Sequence, residues 1–224
     1  AARCRRRVTR SRRMREHPHP STLHLKERVW YGSKLVSSPS REVGGSVEAM
    51  KKWNLVIDIA RCHDCNNCFL ACKDEHWENN HLPYSVPQPR HGHRWIDILY
   101  RERAQFPKVD PVYLPFTCMH CDKAPCVERS KEGEVYKRED GIVIIDPEKG
   151  KGKREILDWC PYKVIFWNEE LQVPQKCTLC AHLLAEGWAE PRCVQVCPTG
   201  ALKAVLVEDE EMARIREREG LEVL

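Results

Sequence analysis

Thirteen cysteines occur in this chain of 224 residues, and all but one of them fall into four tight runs. Within a run most gaps are two to four residues, too short for most neighbouring thiols to reach disulfide geometry. A secretory signal with an apolar centre is not recognisable, so a disulfide-rich secreted protein is not favoured. Thiolates repeated at this spacing are soft ligands and predict metal centres, with only Cys4 standing apart.

The first run is Cys62-x2-Cys65-x2-Cys68-x3-Cys72, the spacing by which bacterial ferredoxins bind iron-sulfur clusters. In those proteins three cysteines of the run bind one 4Fe-4S cluster, and the fourth binds a second cluster. A zinc site is the alternative, because zinc also takes four cysteines, but it combines two Cys-x2-Cys pairs that lie far apart in sequence. A third cysteine two residues beyond such a pair has no place in it, so the run favours clusters over zinc.

The last run complements the first one. It reads Cys177-x2-Cys180-x12-Cys193-x3-Cys197 and is followed by Pro198, the ending of the ferredoxin motif. If the fourth cysteine of each run crosses to the other cluster, two complete ligand sets result. The predicted first cluster is bound by Cys62, Cys65, Cys68 and Cys197, and the predicted second cluster by Cys72, Cys177, Cys180 and Cys193.

The two middle runs are incomplete. Cys118-x2-Cys121-x4-Cys126 lacks a fourth cysteine, and Cys160-Pro161 has the form of a run whose beginning is missing. Counting by the ferredoxin spacing places the four absent ligands at Ser130, Gly150, Lys153 and Ile156. If the runs are cross-paired, all four of these positions belong to a single cluster. One cluster has therefore been lost whole, and the third is bound by Cys118, Cys121, Cys126 and Cys160. The sequence thus predicts three 4Fe-4S clusters.

Four ferredoxin-type runs, cross-paired at the two ends of the series, resemble the plan of the iron-sulfur subunits of the dimethyl sulfoxide reductase family. Over about residues 50 to 224 the chain is similar to small subunits of the pyrogallol-phloroglucinol transhydroxylase type and of related phenol hydroxylases. The stretches that carry this likeness are residues 62–69, 91–95, 118–121, 124–127, 138–143, 175–178 and 182–184. Subunits of that type also carry three 4Fe-4S clusters. This chain departs from them in its N-terminal segment and in ending where they continue into a further β-rich domain, so a truncated C-terminus is one expectation.

The resemblance implies a partner, a large subunit that binds molybdenum through two pterin guanine dinucleotides and performs the catalysis. This chain would then be a non-catalytic electron-transfer subunit. In related four-cluster subunits the cluster missing here is the one farthest from molybdenum and faces a membrane anchor, so the resemblance implies a cytoplasmic complex without such an anchor. It also implies an order outward from the active site: the cluster of Cys62, then that of Cys72, then that of Cys118.

Two alternatives stay open at this point. One is an iron-sulfur subunit of another enzyme of the same broad family, acting on an oxyanion or a sulfur compound. The other is a free-standing polyferredoxin, although the long insertions between runs, especially residues 73–117, favour docking surfaces for a fixed partner. His63 and His120 lie inside the runs, where an imidazole could donate a hydrogen bond to cluster sulfur or simply face solvent.

The predicted fold class is α+β, with tandem bacterial-ferredoxin-like 4Fe-4S dicluster domains and inserted loops. Residues 50–207 form the polyferredoxin region, in which runs 62–72 and 177–197 build one lobe and residues 118–160 the second, and residues 208–224 form a C-terminal helix. Strands are predicted at 54–59, 95–100, 112–116, 141–146, 164–167 and 202–207. Helices are predicted at 69–78, 178–186 and 208–220.

Residues 1–49 carry twelve Lys or Arg and four Asp or Glu, a net charge of +8, whereas the rest of the chain sums to −4. Without apolar periodicity this segment is predicted to be disordered, and the strand pattern that starts directly after Met50 suggests that the segment is not native. An arginine-rich nucleic-acid arm is the alternative, but no base-reading module follows it, so no nucleic-acid partner is expected. No apolar stretch approaches the roughly 20 residues that span a bilayer.

Overall fold

The structure is a computed structural model that describes residues 28–31, 50–220 and 222–223. Its strands are β1 (Arg28–Tyr31), β2 (Lys52–Asp58), β3 (Ile96–Arg103), β4 (Asp110–Thr117), β5 (Val135–Lys137), β6 (Val143–Ile145), β7 (Phe166–Asn168), β8 (Val173–Gln175), β9 (Leu202–Val207) and β10 (Glu222–Val223). Its helices are α1 (Asn67–His76), α2 (Pro125–Glu128), α3 (Ala181–Ala185), α4 (Arg192–Gln195) and α5 (Asp209–Glu219), and a 3₁₀ helix spans Arg154–Trp159. This mixture confirms the predicted α+β class. The tandem arrangement of ferredoxin-like domains stays a prediction.

The largest sheet of the described chain has the strand order β10-β1-β2-β9. Strands β2 and β9 are antiparallel, with Leu55 opposite Ala204. Successive residues of a strand point to opposite faces, so Leu55 and Ile57 join the main apolar core while Val56 packs against Met212 of α5. The charged helix α5 therefore covers the face of the sheet that points away from the cysteines.

Strand β1 lies within residues 1–49, for which the sequence analysis expects disorder. It pairs antiparallel with β2, where Val29 lies opposite Ile57, and parallel with β10. For residues 28–31 the expectation is wrong. The physical reason is that Val29, Trp30 and Tyr31 are β-branched or aromatic, and the free edge of β2 offers a ladder that such a strand can complete. The other residues of the segment lie outside the described residues.

Three two-stranded hairpins, β3–β4, β5–β6 and β7–β8, occupy the stretches between the cysteine runs. The β3–β4 hairpin belongs to the long insertion 73–117 and pairs over its whole length, from Ile96 opposite Thr117 to Arg103 opposite Asp110. Strands β5 (Val-Tyr-Lys) and β8 (Val-Pro-Gln) were not predicted, because each contains a polar residue or a proline and lacks the run of apolar residues that marks β6 and β7.

Two apolar clusters surround the cysteines. One contains Cys68, Cys72 and Cys193, and the other contains Cys160. Strand β6 joins them, since Ile144 belongs to the first cluster while its neighbours on either side belong to the second. The parts of the chain that carry the outer and the middle cysteine runs are therefore packed together.

All helices of the described chain are short, the longest being α5 with 11 residues. Within the described ranges, none of them combines the length and the apolar character that crossing a bilayer requires. Each of the three predicted helices occurs, with bounds that differ from 69–78, 178–186 and 208–220 by up to three residues. The C-terminal helix expected over residues 208–224 ends earlier, because Gly220 takes a left-handed conformation after α5 and Glu222–Val223 form β10.

Candidate metal centres

The first thiol set consists of Cys62, Cys65, Cys68 and Cys197. The first three lie in the loop that leads into α1 and in its first turn, and Cys197 follows α4, which packs against α1. Burial, together with the thiols of the other three members, raises the pKa of Cys68 to about 11. The side chain of Cys65 is exposed. The structure therefore brings these four cysteines together at the surface of the protein.

The second thiol set consists of Cys72, Cys177, Cys180 and Cys193. These four side chains line one cavity of about 350 Å³, whose walls are otherwise mostly apolar. Burial raises the pKa of Cys180 to about 12 and that of Cys193 well above its usual value, and the thiols of the same set add to both shifts. Helix α1 contributes Cys68 to the first set and Cys72, one turn later on the same face, to the second.

The third thiol set consists of Cys118, Cys121, Cys126 and Cys160. These residues line a second cavity of about 350 Å³. Burial raises the pKa of Cys121 to about 11, and all three other members add to this shift, as neighbouring acidic groups do. The structure therefore brings together the same four cysteines that the sequence analysis assigned to one cluster.

The three sets form a series. Cys68 of the first set contributes to the raised pKa of Cys193 in the second, and Cys118 of the third set contributes to that of Cys177 in the second. The second set lies between the other two. Cys65 opens the first set to solvent, and the exposed Tyr162 lies beside the third.

The backbone repeats itself where the thiol pairs are made. In each thiol set, the residue before the second cysteine of the first Cys-x2-Cys pair has a left-handed conformation: φ is 53° at Asp64, 44° at His120 and 52° at Leu179. Such a conformation costs roughly 1–2 kcal/mol for a residue with a side chain, and it persists where a site requires it. It curls the loop so that the amide of Leu179 donates to Sγ of Cys177 at 3.3 Å. Three unrelated side chains at one strained position indicate a loop shaped around a ligand.

These sites fit 4Fe-4S clusters. All twelve cysteines of the described chain are free thiols, and four of them line each of the cavities at the second and third sets, which is the number of thiolates that a 4Fe-4S cluster takes. Burial disfavours an isolated thiolate there, whereas thiolates bound to iron share their charge with it. Amide donors stabilise the anionic form as well: those of Leu202 and Ala201, with the Thr199 hydroxyl, outweigh the effect of burial and lower the pKa of Cys197.

The positions counted for the lost fourth cluster are filled. The carboxylate of Glu134 accepts a hydrogen bond from the hydroxyl of Ser130 at 2.6 Å and pairs with the ammonium of Lys153 at 2.7 Å. Ile156 is completely buried, and a Cβ on Gly150 would meet the carbonyl oxygen of Asp146 at 2.9 Å. A hydrogen-bonded ion pair, an isoleucine and close backbone packing therefore occupy these four positions.

The two histidines of the cysteine runs differ in their surroundings. His63 is exposed. The amide of Val143 donates to Nδ1 of His120 at 3.0 Å, so the neutral ring carries its proton on Nε2, which is buried and has no hydrogen-bond partner within the described residues. Burial, then the charges of Lys176 and Lys137, hold the pKa of His120 well below its usual value. His120 lines the cavity of the third thiol set and is thus a neutral donor beside it.

Sequence reasoning missed a further polar group, which lies between α1 and α3. Oε1 of Glu75 lies 3.0 Å from Nε2 of His182, and Arg192 donates to Oε2 at 2.7 Å. His81 stacks on His182, with ring centroids 3.6 Å apart and planes 10° apart. A metal ion lies in the ring plane of each histidine that binds it, and two stacked parallel planes share no such point. The group therefore links helices and does not fit a metal ion. Its members lie 107 residues apart, so no local pattern signals it.

Comparison with known proteins agrees with the geometry of these sites. The family model for a 4Fe-4S dicluster domain matches residues 109–206. The chain is 52% identical over 178 residues to the pyrogallol hydroxytransferase small subunit of Pelobacter acidigallici, covering 78% of this chain and 64% of that protein. It is 34% identical to a subunit of the tetrathionate reductase of Salmonella typhimurium, covering 75% and 62%. It is 32% identical to a subunit of the sulfite dehydrogenase of Allochromatium vinosum, covering 78% of each. The chain thus spans a little less than two thirds of the first two relatives.

Proposed function

We propose that this chain, which belongs to the family of iron-sulfur electron-transfer subunits of dimethyl sulfoxide reductase-type enzymes, carries electrons for a molybdopterin-containing large subunit. The observation that carries the proposal is the series of three thiol sets, whose two outer members lie near the surface while the middle one is enclosed. Such a series suits one-electron transfer across the protein between two partners. Catalysis belongs to the large subunit.

Each thiol set would hold one 4Fe-4S cluster, a cofactor that accepts and gives up one electron at a time when bound. The chain's own part is to supply four thiolates, to exclude water from the second set and to donate hydrogen bonds to sulfur. Gln88 lies 3.9 Å from Sγ of Cys72, and Nε2–H of His120 is available at the third set. Such donors stabilise the more negative, reduced form.

We infer that the partner acts on a phenolic compound. Support comes from the 52% identity to a subunit whose name refers to pyrogallol, against 34% and 32% for the subunits of tetrathionate reductase and sulfite dehydrogenase. The second candidate is a partner that acts on an oxyanion or a sulfur compound, the kind of compound to which the names of those two relatives refer. Activity of the reconstituted complex towards pyrogallol, tetrathionate and sulfite would separate the two.

Docking to a fixed partner is favoured over a free-standing polyferredoxin. The insertion between the first two cysteine runs folds into the β3–β4 hairpin, and Phe106 in the loop between its strands is 91% exposed. Tyr100 and Val109 of the same hairpin are exposed as well, and several large apolar side chains exposed on one hairpin are typical of a surface that docks to a protein.

Anaerobic purification with metal analysis tests the proposed function. We expect about 12 irons and about 12 acid-labile sulfides per chain, together with a co-purifying large subunit that contains molybdenum and pterin. Zinc as the main metal, iron enough for four clusters, or a chain that purifies alone with all its iron would contradict the proposal.

We also infer a cytoplasmic complex without a membrane anchor. The position at which related subunits bind their outermost cluster is filled by Glu134, Lys153 and Ile156, so electrons would leave through the third set to a soluble partner. Co-purification with a protein that spans the membrane several times, and reduction of all three clusters by a quinol, would refute this.

A further inference from the structure

We propose that Lys176 is a positioning residue whose fixed charge makes the groups held by the second and third thiol sets easier to reduce. The inference rests on the proposed function, because it concerns clusters bound at these sets. No feature of the cysteine motif requires a lysine at this position, so its role comes from the tertiary structure alone.

Lys176 is held rigidly between the two sets. It lies between β8 and Cys177 and is only 2% exposed. Its ammonium donates to the carbonyl oxygens of Val143 and of Cys177, the latter at 3.0 Å. Two of its three N–H groups are thereby used, and the third is left for the cavity of the third thiol set, which Lys176 also lines.

The cysteines would supply the counter-charge of this lysine as thiolates bound to iron. The acceptors that the described residues offer its ammonium are two carbonyl oxygens rather than a carboxylate, and a buried cation is costly unless anions surround it. Its charge opposes the rise that burial causes in the pKa of Cys126 and Cys160 of the third set and of Cys177 of the second. Lys176 thus lies beside cysteines of two sets at once.

The direction of the effect follows from Coulomb's law. Reduction adds negative charge, and a fixed cation in a buried setting of low dielectric constant stabilises the product more than the reactant. The reduction potentials of the second and third clusters should therefore be higher than without Lys176. No thiol of the first set is among the groups that its charge affects in the described chain, so the first cluster should be insensitive to it.

A redox titration of the complex carrying Lys176→Met, followed by electron paramagnetic resonance, tests the inference. We expect the equilibrium constant for reduction of the third cluster to fall at least tenfold, which is about 59 mV for a one-electron couple. The second cluster should shift in the same direction and the first should not change. Lys163→Met is the matched control: Lys163 lies three residues after Cys160, but it is exposed and pairs with Asp158 at 3.0 Å, so water screens its charge.

Lys176→Arg keeps the positive charge and provides a second test of the inference if the methionine variant loses its clusters. We expect the arginine variant to keep its iron and potentials close to those of the wild type. Unchanged potentials in a fully loaded methionine variant, or equal shifts in the methionine and arginine variants, would overturn the role of Lys176. A wild-type protein without clusters would instead defeat the proposed function, so the two failures can be told apart by iron and sulfide content.

Discussion

At the scale of residues, one helical turn decides which thiol set a cysteine joins. Cys68 and Cys72 lie on the same face of α1, yet Cys68 neighbours Cys62, Cys65 and Cys197, whereas Cys72 neighbours Cys177 and Cys180. The helix is thus the physical means by which the first and last runs exchange their fourth cysteines. Its position also brings the two sets close together.

The crossing of the cysteines can be tested with single substitutions. We expect Cys72→Ser and Cys193→Ser to remove the same paramagnetic signal, and Cys68→Ser and Cys197→Ser to remove a different one, each with a loss of about four irons per chain. Electron paramagnetic resonance of the reduced protein makes the comparison. Cys4→Ser is the control and should keep all the iron. If Cys72→Ser and Cys68→Ser abolish one and the same signal, the crossing is wrong.

At the scale of elements, the β5–β6 hairpin and the 3₁₀ helix meet at the positions where the sequence analysis counts a lost cluster. Glu134, next to β5, bridges Ser130 after α2 and Lys153 before the 3₁₀ helix. Hydrogen bonds from Lys153 and Ser130 hold the pKa of Glu134 at about 2. The network thus ties together three elements of the second lobe.

Lys153→Met should lower the melting temperature by a few degrees, because Glu134 keeps only the Ser130 hydroxyl and its nearby amide donor. A carboxylate with a lowered pKa stabilises the fold above its ordinary pKa of 4.5, and this contribution is lost only as the pH falls towards about 2. The difference between variant and wild type should therefore be the same at about pH 7 and about pH 5.5. Thermal melts followed by circular dichroism measure it.

The matched control for this variant is Lys151→Met, because Lys151 is exposed and lies two residues from Lys153. We expect its melting temperature to equal that of the wild type. A difference between Lys153→Met and wild type that disappears on acidification to about pH 5.5 would show that Glu134 titrates in that range, contrary to the ion pair described here.

At the scale of the whole molecule, the largest sheet and the three thiol sets are attached to each other through β2. One face of β2 packs into the core that contains Cys68 and Cys72, and its edge pairs with β1. Strand β1 takes part in the sheet, and none of the described contacts of the thiol sets involves it.

A chain that begins at Met50 should therefore bind as much iron as the full chain but melt at a lower temperature, since the edge of β2 loses its partner. The first 49 residues would thus be dispensable for cluster binding but would contribute to stability. A chain that begins at Lys26 retains β1 and serves as the control, with full iron content and the melting temperature of the longer protein. Loss of iron in the chain that begins at Met50 would show that the segment is needed for assembly.

The sequence by itself determined the ligand chemistry, because the ferredoxin spacing of Cys62, Cys65 and Cys68 is a local pattern. It can be recognised without knowledge of the tertiary structure. It also located the vacated positions, since Ser130 and Lys153 follow from counting along the chain. Tertiary structure decided how those positions are filled, through Glu134, and which charges face the thiols. Lys176 and the link from Glu75 to His182 could not be found by spacing, because Coulomb interactions and burial depend on distance in space rather than along the chain. Strand β1 was missed for the same reason, as a short strand becomes recognisable only beside the edge that it completes.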